Sequence, residues 1–455
     1  MFADTKAYAD LGETVVGVGL AKRSSDTNSQ AQETKKRDTQ DAIDRARAGA
    51  AARSPFYAVY FATVAGAVTV WGLAIFQALI AASVLQIFFQ NLLGLRFWQS
   101  SAAYVFLGLG TTLPFFVTFT MPDVFLSLGV LAMLVLLQGR ESLSPIERAA
   151  LMSFCVLASV FHTTHASILL ATGAVYLIAA RVRTKMTSVV LLLMIFISGP
   201  LSALIYQTIA KHMIGGDIYR PPFLTARLLE DGPGRLWLDT NCTDGRVPFS
   251  ICQFRQRNLS DSQAILWERG TDRSVFADAP NELRIEIAQQ DVNFAIRVTL
   301  DAPVLVAKAA LDNFGQLIVS SRLDDIADRA AVYRDPLFST LVAYAPSDKI
   351  CFPDPKTCAP HLDLIALGAL DALVTVAAFT FILAVLSLRS AACQTIRPPI
   401  YALMTAVVTN DLICAAFSGP YARYHTRVSW LIPLAALLLA FQLLWRNQEK
   451  YVDKN

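Results

Sequence analysis

TFTMPDVFLSLGVLAMLVLL, residues 118–137, places a proline and a carboxylate at the head of an unbroken apolar run. Pro122 followed by Asp123 reads as a helix start. Proline at the first helical position lacks the N–H that would stay unsatisfied there, and an acid in the first turn complements the positive end of the helix dipole. Behind them, 122–138 is apolar on every face, as expected of a helix surrounded by lipid or by other helices. Helix-end chemistry is one reading of Asp123. The other is a functional acid, because an ionisable group at membrane level costs on the order of 2.5–3.5 kcal/mol at a helix centre.

The rest of the chain has the same character. Hydrophobic residues make up 54% of its 455 positions and charged residues only 16%, too apolar for an ordinary soluble surface. Apolar stretches near bilayer length fall at about 71–92, 101–120, 122–138, 149–162, 166–180, 187–208, 363–388, 399–418 and 428–445. The expected fold is a mainly α, polytopic transmembrane bundle. A net charge of +3, spread along the chain, gives no footprint for nucleic acid and serves to orient loops.

Basic loops set that orientation. ARVRTKM at 180–186, GRESLSPIERAA, LRSAACQTIR and the tail RNQEKYVDK all fall on one parity, which the positive-inside rule makes cytoplasmic. Residues 209–362 are then exported. Four of the seven cysteines, Cys242, Cys252, Cys351 and Cys358, lie in that polar segment, as expected for disulfides in an oxidising compartment. The simplest pairings are Cys242 with Cys252 and Cys351 with Cys358. The segment reads as mixed: turn-rich and irregular or β-like over 220–254, helical over 280–317.

The expected layout is an extracytoplasmic loop at 1–56, transmembrane helices at 57–208, the exported domain at 209–362, transmembrane helices at 363–445 and a cytoplasmic tail at 446–455. One feature sits awkwardly. The apolar run 57–92 is too long for one simple crossing, and the parity exports residues 1–55 with no hydrophobic segment ahead of them. The run either folds as a hairpin or follows an upstream helix missing from the sequence. The second is favoured.

The same parity gathers polar chemistry on the outer face: Asp123, His162 and His165 in FHTTH, His212, His361, and Arg423, His425 and Arg427 in GPYARYHTRVSW. His162 and His165 could present two imidazoles to a divalent metal, though two fall short of the three or four ligands of a zinc site, and they also read as interfacial histidines. Arg423 and Arg427 are interface anchors or a phosphate clamp. Asp411 in VVTNDLICAAF lies deeper, as a proton site or as a hydrogen-bond partner of Asn410 and neighbouring helices.

ADTKAYADLGE, RSPFYAVYFATVAG, LPFFVTFTMPDVFLSLGVLAMLVLL and ARYHTRVSWLIPLAALL, in that order, resemble the GT-C superfamily of membrane glycosyltransferases. The likeness is nearest to bacterial members similar to the protein mannosyltransferases and the lipid A aminoarabinose transferases. It covers roughly 1–208 and 363–445. In those families a first helix leads to an outer loop bearing an acid and then an aromatic, roles that Asp4 and Tyr8 would fill. Arg53, Pro55 and Tyr57 fit the return to the membrane loosely.

The resemblance implies sugar transfer from a polyprenyl-phosphate donor to a cell-envelope glycan, lipid or protein acceptor, at the periplasmic face of a bacterial inner membrane. It makes Asp4 the base and Asp123 the second acid, placing substrate or binding a divalent metal. Arg423, Tyr424 and Arg427 would meet the donor phosphate, with Lys211 and Arg220 as further candidates. The rival expectations are a secondary transporter or flippase working through Asp411, and a non-catalytic membrane protein.

Overall fold

The computed structural model describes residue 8 and residues 53–138, 143–181, 186–214, 219–242, 248–323, 363–388 and 394–452. Among these residues every regular element is helical and no strand occurs. Five helical stretches are long and apolar enough to cross a membrane: Trp71–Leu93, Ser188–Ile205, Leu364–Ser387, Arg397–Phe417 and Ala422–Leu444. They fit a multi-pass membrane protein in a lipid bilayer.

The first half begins with α1 (Pro55–Val68) and α2 (Val70–Leu93), which meet at Thr69, a non-glycine residue with φ +88°. Tyr57 lies within hydrogen-bond reach of Gln77 at 3.4 Å, and the Tyr60 and Phe76 rings stand 6.3 Å apart. Residues 20 apart along one straight helix would be separated by roughly 30 Å. The run 57–92 therefore folds back on itself at Thr69, with a single span-length helix, α2.

The expected span 101–120 is divided too. α3 (Phe97–Gly110) ends at Thr111, and a short α4 (Leu113–Thr118) leads to the Thr120–Pro122 turn. Thr111 Oγ1 closes on the Leu107 carbonyl at 2.6 Å, so the threonine side chain takes up a carbonyl that the ending helix releases.

Next come α5 (Asp123–Gln138), α6 (Pro145–Phe161), α7 (His165–Ala180) and α8 (Met186–Ile214). Nearly every side chain of α5 is buried, which makes this 16-residue helix the axis of the bundle and not a lipid-facing span. Its neighbours are fixed by size. Phe125 meets Phe161 edge-on at 4.9 Å, while a Cβ added at Gly129 would stand 2.9 Å from that of Ala158, so α6 runs antiparallel and close. Added at Gly173, it would meet Met133 and Leu137, so α7 runs parallel to α5. Glycine is what lets these backbones approach.

Over its described residues the region read as irregular or β-like is built of short helices with no strand, which corrects the β-like expectation. It contains α9 (Phe223–Glu230), α10 (Pro233–Asn241), a 3₁₀ turn at Ser250–Phe254 and α11 (Ser262–Trp267). The turn residues that suggested strands are helix punctuation: Gly232 at φ +100° precedes Pro233 at the first position of α10. α12 (Asn281–Asp301) and α13 (Pro303–Ile318) follow, as their periodicity predicts.

Trp237, Phe249 and Phe294 meet edge-on at 5.4–5.6 Å in the core of this unit. Asp291 of α12 accepts from the Thr225 and Leu224 N–H groups and caps α9 across the domain. Cys242 and Cys252 form the expected disulfide. Cys351 and Cys358 lie outside the described residues.

The chain returns through α14 (Leu364–Ser387), α15 (Arg397–Phe417), the short α16 (Ala422–Ser429) and α17 (Leu431–Val452). α15 packs along α7, and α14 along α17.

Candidate functional site

α16 is eight residues long and nearly everything on it is polar, yet it is mostly buried. A sequence such as ARYHTRVS can be buried only if each polar group finds a partner. The partners come from helices on every side.

Arg427 is 1% exposed. Its Nη1 donates to Asp123 Oδ1 at 3.0 Å, and its Nε and Nη2 donate to Asn410 Oδ1 at 3.0 and 2.7 Å. Its guanidinium lies over the Tyr424 ring, 5.2 Å from the centroid. Beside it, His425 Nδ1 meets Asp411 Oδ2 at 2.7 Å, and Asn410 Nδ2 donates to Asp411 Oδ1 at 3.0 Å. Asn410 Nδ2 also donates to the Tyr424 carbonyl at 2.6 Å. One amide thus joins the Arg427–Asp123 ion pair to the Asp411–His425 hydrogen bond.

Hydroxyls tie down the backbone of α16. Ser127 donates to the Arg427 carbonyl at 3.1 Å and Thr112 to that of Thr426 at 2.6 Å. The Ser429 hydroxyl lies 3.5 Å from Asp371 Oδ2.

The sequence-derived candidates distribute as follows. Asp123 starts α5, 4% exposed, in the ion pair with Arg427. His165 is fully buried, its Nδ1 2.8 Å from the Ala158 carbonyl, and its ring stands 5.1 Å from that of His162. His162 is in electrostatic reach of His165, Arg427, Arg53 and Arg423. Tyr8 is buried with its ring 4.7 Å from Tyr57, which in turn feels the Asp123 charge. Arg53 directly precedes Ser54, whose hydroxyl donates to the Val160 carbonyl at 2.6 Å and holds the start of α1 against the end of α6.

Tyr8, Arg53, Asp123, His162, His165, Arg423, Tyr424 and Arg427 therefore belong to one end of one bundle. Arg423 is half-buried over Tyr424, 5.0 Å from the ring centroid. Arg220 is exposed, over the Phe223 ring at 5.5 Å, at the entry to α9. Lys211 lies in α8 and its side chain, like that of His212, is not described. Asp4 and His361 lie outside the described residues.

Among the described residues no three His, Cys, Asp or Glu side chains gather closely enough to hold a metal ion. The two imidazoles of FHTTH find no third ligand among the described residues.

Sequence reading passed over Ser127 and Asp371, and reached Tyr57 only through the resemblance. Asp371 had a plain signal, a lone carboxylate inside the run LIALGALDALVTV. Ser127 had none, since a serine in an apolar helix is common and only the fold turns it inward.

Chemically, the arrangement offers a buried cation fixed between two acceptors, an acid–imidazole pair, and two further guanidinium groups nearer the surface. No protein-family model, curated protein or solved structure matches the chain.

Proposed function

We propose that this chain is a membrane glycosyltransferase of the GT-C kind, moving a sugar from a polyprenyl-phosphate donor to a cell-envelope acceptor at the outer face of a bacterial inner membrane. The observation that carries the reading is the convergence of candidates from position 8 to position 427 on one end of the bundle. In the proposed reaction the acceptor oxygen attacks the anomeric carbon. The bond from that carbon to the phosphate oxygen breaks, and the polyprenyl phosphate leaves with both bonding electrons.

Such a step needs a base for the acceptor proton and cationic groups for the departing phosphate. Asp4 is the proposed base. Arg427 is taken up by Asp123 and Asn410, so its role is to organise the site with Asp123. Arg423 and Arg220 are the proposed phosphate-binding guanidinium groups.

The test compares membranes of the host strain with and without the gene, by mass spectrometry of extracted lipids. Loss of the gene should make a polyprenyl-phosphate sugar accumulate, and the wild-type gene should clear it. Arg423→Gln should slow clearance about tenfold or more, the effect of losing one charge-assisted hydrogen bond of ~1.5–3 kcal/mol. An unchanged lipid-linked sugar pool in the deletion strain would refute the reading.

A second reading, a proton-coupled transporter or flippase, is favoured by the fully buried Asp411–His425 pair. It requires Asp411→Asn to abolish transport while lipid-linked sugars stay at wild-type level.

A further inference from the structure

We infer that a groove bounded by α12, α13 and the last turn of α15 holds a hydrocarbon chain of a bilayer phospholipid, and that the α12–α13 pair rides in the leaflet on that side. The inference rests on the bilayer environment of the spans and not on the proposed sugar transfer.

α12 has two apolar sides. One, with Ile287, Phe294 and Val298, is buried in its own unit, where Phe294 meets the Trp237 and Phe249 rings. The other, with Val292, Ile296 and Leu300, recurs every four residues and is 53–71% exposed. Glu286 and Arg297 are exposed on a third side. Carrying these charges along its length, α12 is not a span. A helix with one charged side and one bare apolar side is the kind that lies along a membrane surface, its apolar side about 5–10 Å into the headgroup and acyl boundary. α13 extends the bare surface with exposed Val304, Leu305 and Leu311. Contiguous exposed aliphatic side chains of this kind mark an interaction surface.

The groove in this surface has a volume of about 430 Å³, within the ~300–1,000 Å³ of small-molecule sites. Its walls run from Val292 and Ile296 of α12 to Ala309 and Ala310 of α13. Asp231 is the one charged residue among those that line it, and its carboxylate is taken up by Arg227 and Asn313. A polar ligand would lose its hydration there with little in return, whereas a hydrocarbon chain needs no partner.

α15 decides the occupant. Ala416 and Phe417, in the last turn of that span-length helix, complete the groove, and Leu317 packs on Cys414 and Ala415 to hold α13 beside them. Tyr401, Val408 and Leu412 are exposed along one side of α15, and Ala416 stands one turn beyond Leu412 on that side. Lipid that covers this side of the span therefore meets the groove at the end of the helix.

The test is photo-cross-linking of the full chain in nanodiscs of dioleoyl phosphatidylcholine. A diazirine-bearing amino acid replaces Ile296, Leu300, Leu412 or Glu286 in turn, and mass spectrometry identifies what each captures. A phosphatidylcholine adduct should form at 296 and 300, as at the lipid-facing position 412, and be absent at 286. Ala309→Phe, whose ring takes up the groove, should lower the yield at 296 and leave that at 412 unchanged. If that variant does not fold, the four positions in the otherwise wild-type chain decide alone. No phosphatidylcholine adduct at 296 and 300 beside a normal one at 412 overturns the inference. So does capture at 296 and 300 of the chain's own residues or of another lipid, a yield at 286 equal to that at 296, or a yield at 296 that folded Ala309→Phe leaves intact.

Discussion

Asp123 and Arg427 lie 304 positions apart and meet at 3.0 Å with both side chains nearly sealed from solvent. A buried pair gains little over a well-packed apolar pair, but removing one partner strands a charge and costs about 3–5 kcal/mol. Asp123→Ala should therefore lower thermal stability in detergent far more than Asp123→Asn, whose amide oxygen still accepts from Arg427. The double substitution Asp123→Leu with Arg427→Leu should recover much of the loss. Equal unfolding temperatures for Asp123→Ala and wild type would mean that the pair is not made. The helix-start role of Asp123 was legible from Pro122 alone, and its side of the bundle from loop charges. Its partner was not, because pairing across 304 residues is decided by how α16 packs against α5. The hydrogen bond between Asn410 and Asp411 was legible as neighbours in the chain, whereas His425 joined Asp411 only through the turn that reverses α15 into α16.

At the scale of elements, hydropathy found α2, α5, α6, α7, α8, α14, α15 and α17, and missed the division of 101–120 into α3 and α4. A sliding apolar run records composition but not continuity: the length of 57–92 raised a hairpin without placing its turn at Thr69, and the break at Thr111 was hidden inside a stretch that looks uniform. Nor does an apolar run say whether its surroundings are lipid or protein. α5 is the instructive case, since lipid-facing and protein-facing helices have the same composition, and only the small residues hint at neighbours. Gly129 is one of these: a Cβ there would stand 2.9 Å from the Ala158 Cβ, with Leu169 behind it. Gly129→Leu should push α6 and α7 off α5 and cost about 1–3 kcal/mol as overpacking does. The check is the unfolding temperature together with cross-linking between introduced cysteines at positions 125 and 161. An unchanged cross-linking yield would show that the helices do not approach as closely as the structure has them.

At the scale of the molecule, the unit formed by α9 to α13 is fastened to the bundle over the turn that joins α15 to α16. Arg227 of α9 pairs with Glu230 at 3.0 Å and with Asp231. Asn313 of α13 donates to Asp231 at 2.9 Å and to the Ala415 carbonyl at 3.3 Å, and Gln263 of α11 reaches the Tyr421 hydroxyl at 3.3 Å. Three helices of one unit therefore contact one short turn, which opens directly into the Arg423–Arg427 segment. Gly419 is where that fit is tightest. Its φ of +113° is one that L side chains rarely adopt, and an added Cβ would collide with the Arg227 guanidinium. The guanidinium cannot simply swing aside, because two carboxylates hold it. Gly419→Ala should cost ~1–3 kcal/mol of local backbone strain and loosen the fastening without unfolding the bundle. Hydrogen exchange should then quicken in 223–231, 262–267 and 303–318 while the amides of α5 keep their wild-type protection. Asn313→Ala should produce a weaker version of the same pattern. Exchange that quickens equally in α5 would mean that the α9–α13 unit and the bundle unfold as one body, and exchange unchanged everywhere would mean that the turn is not the fastening point.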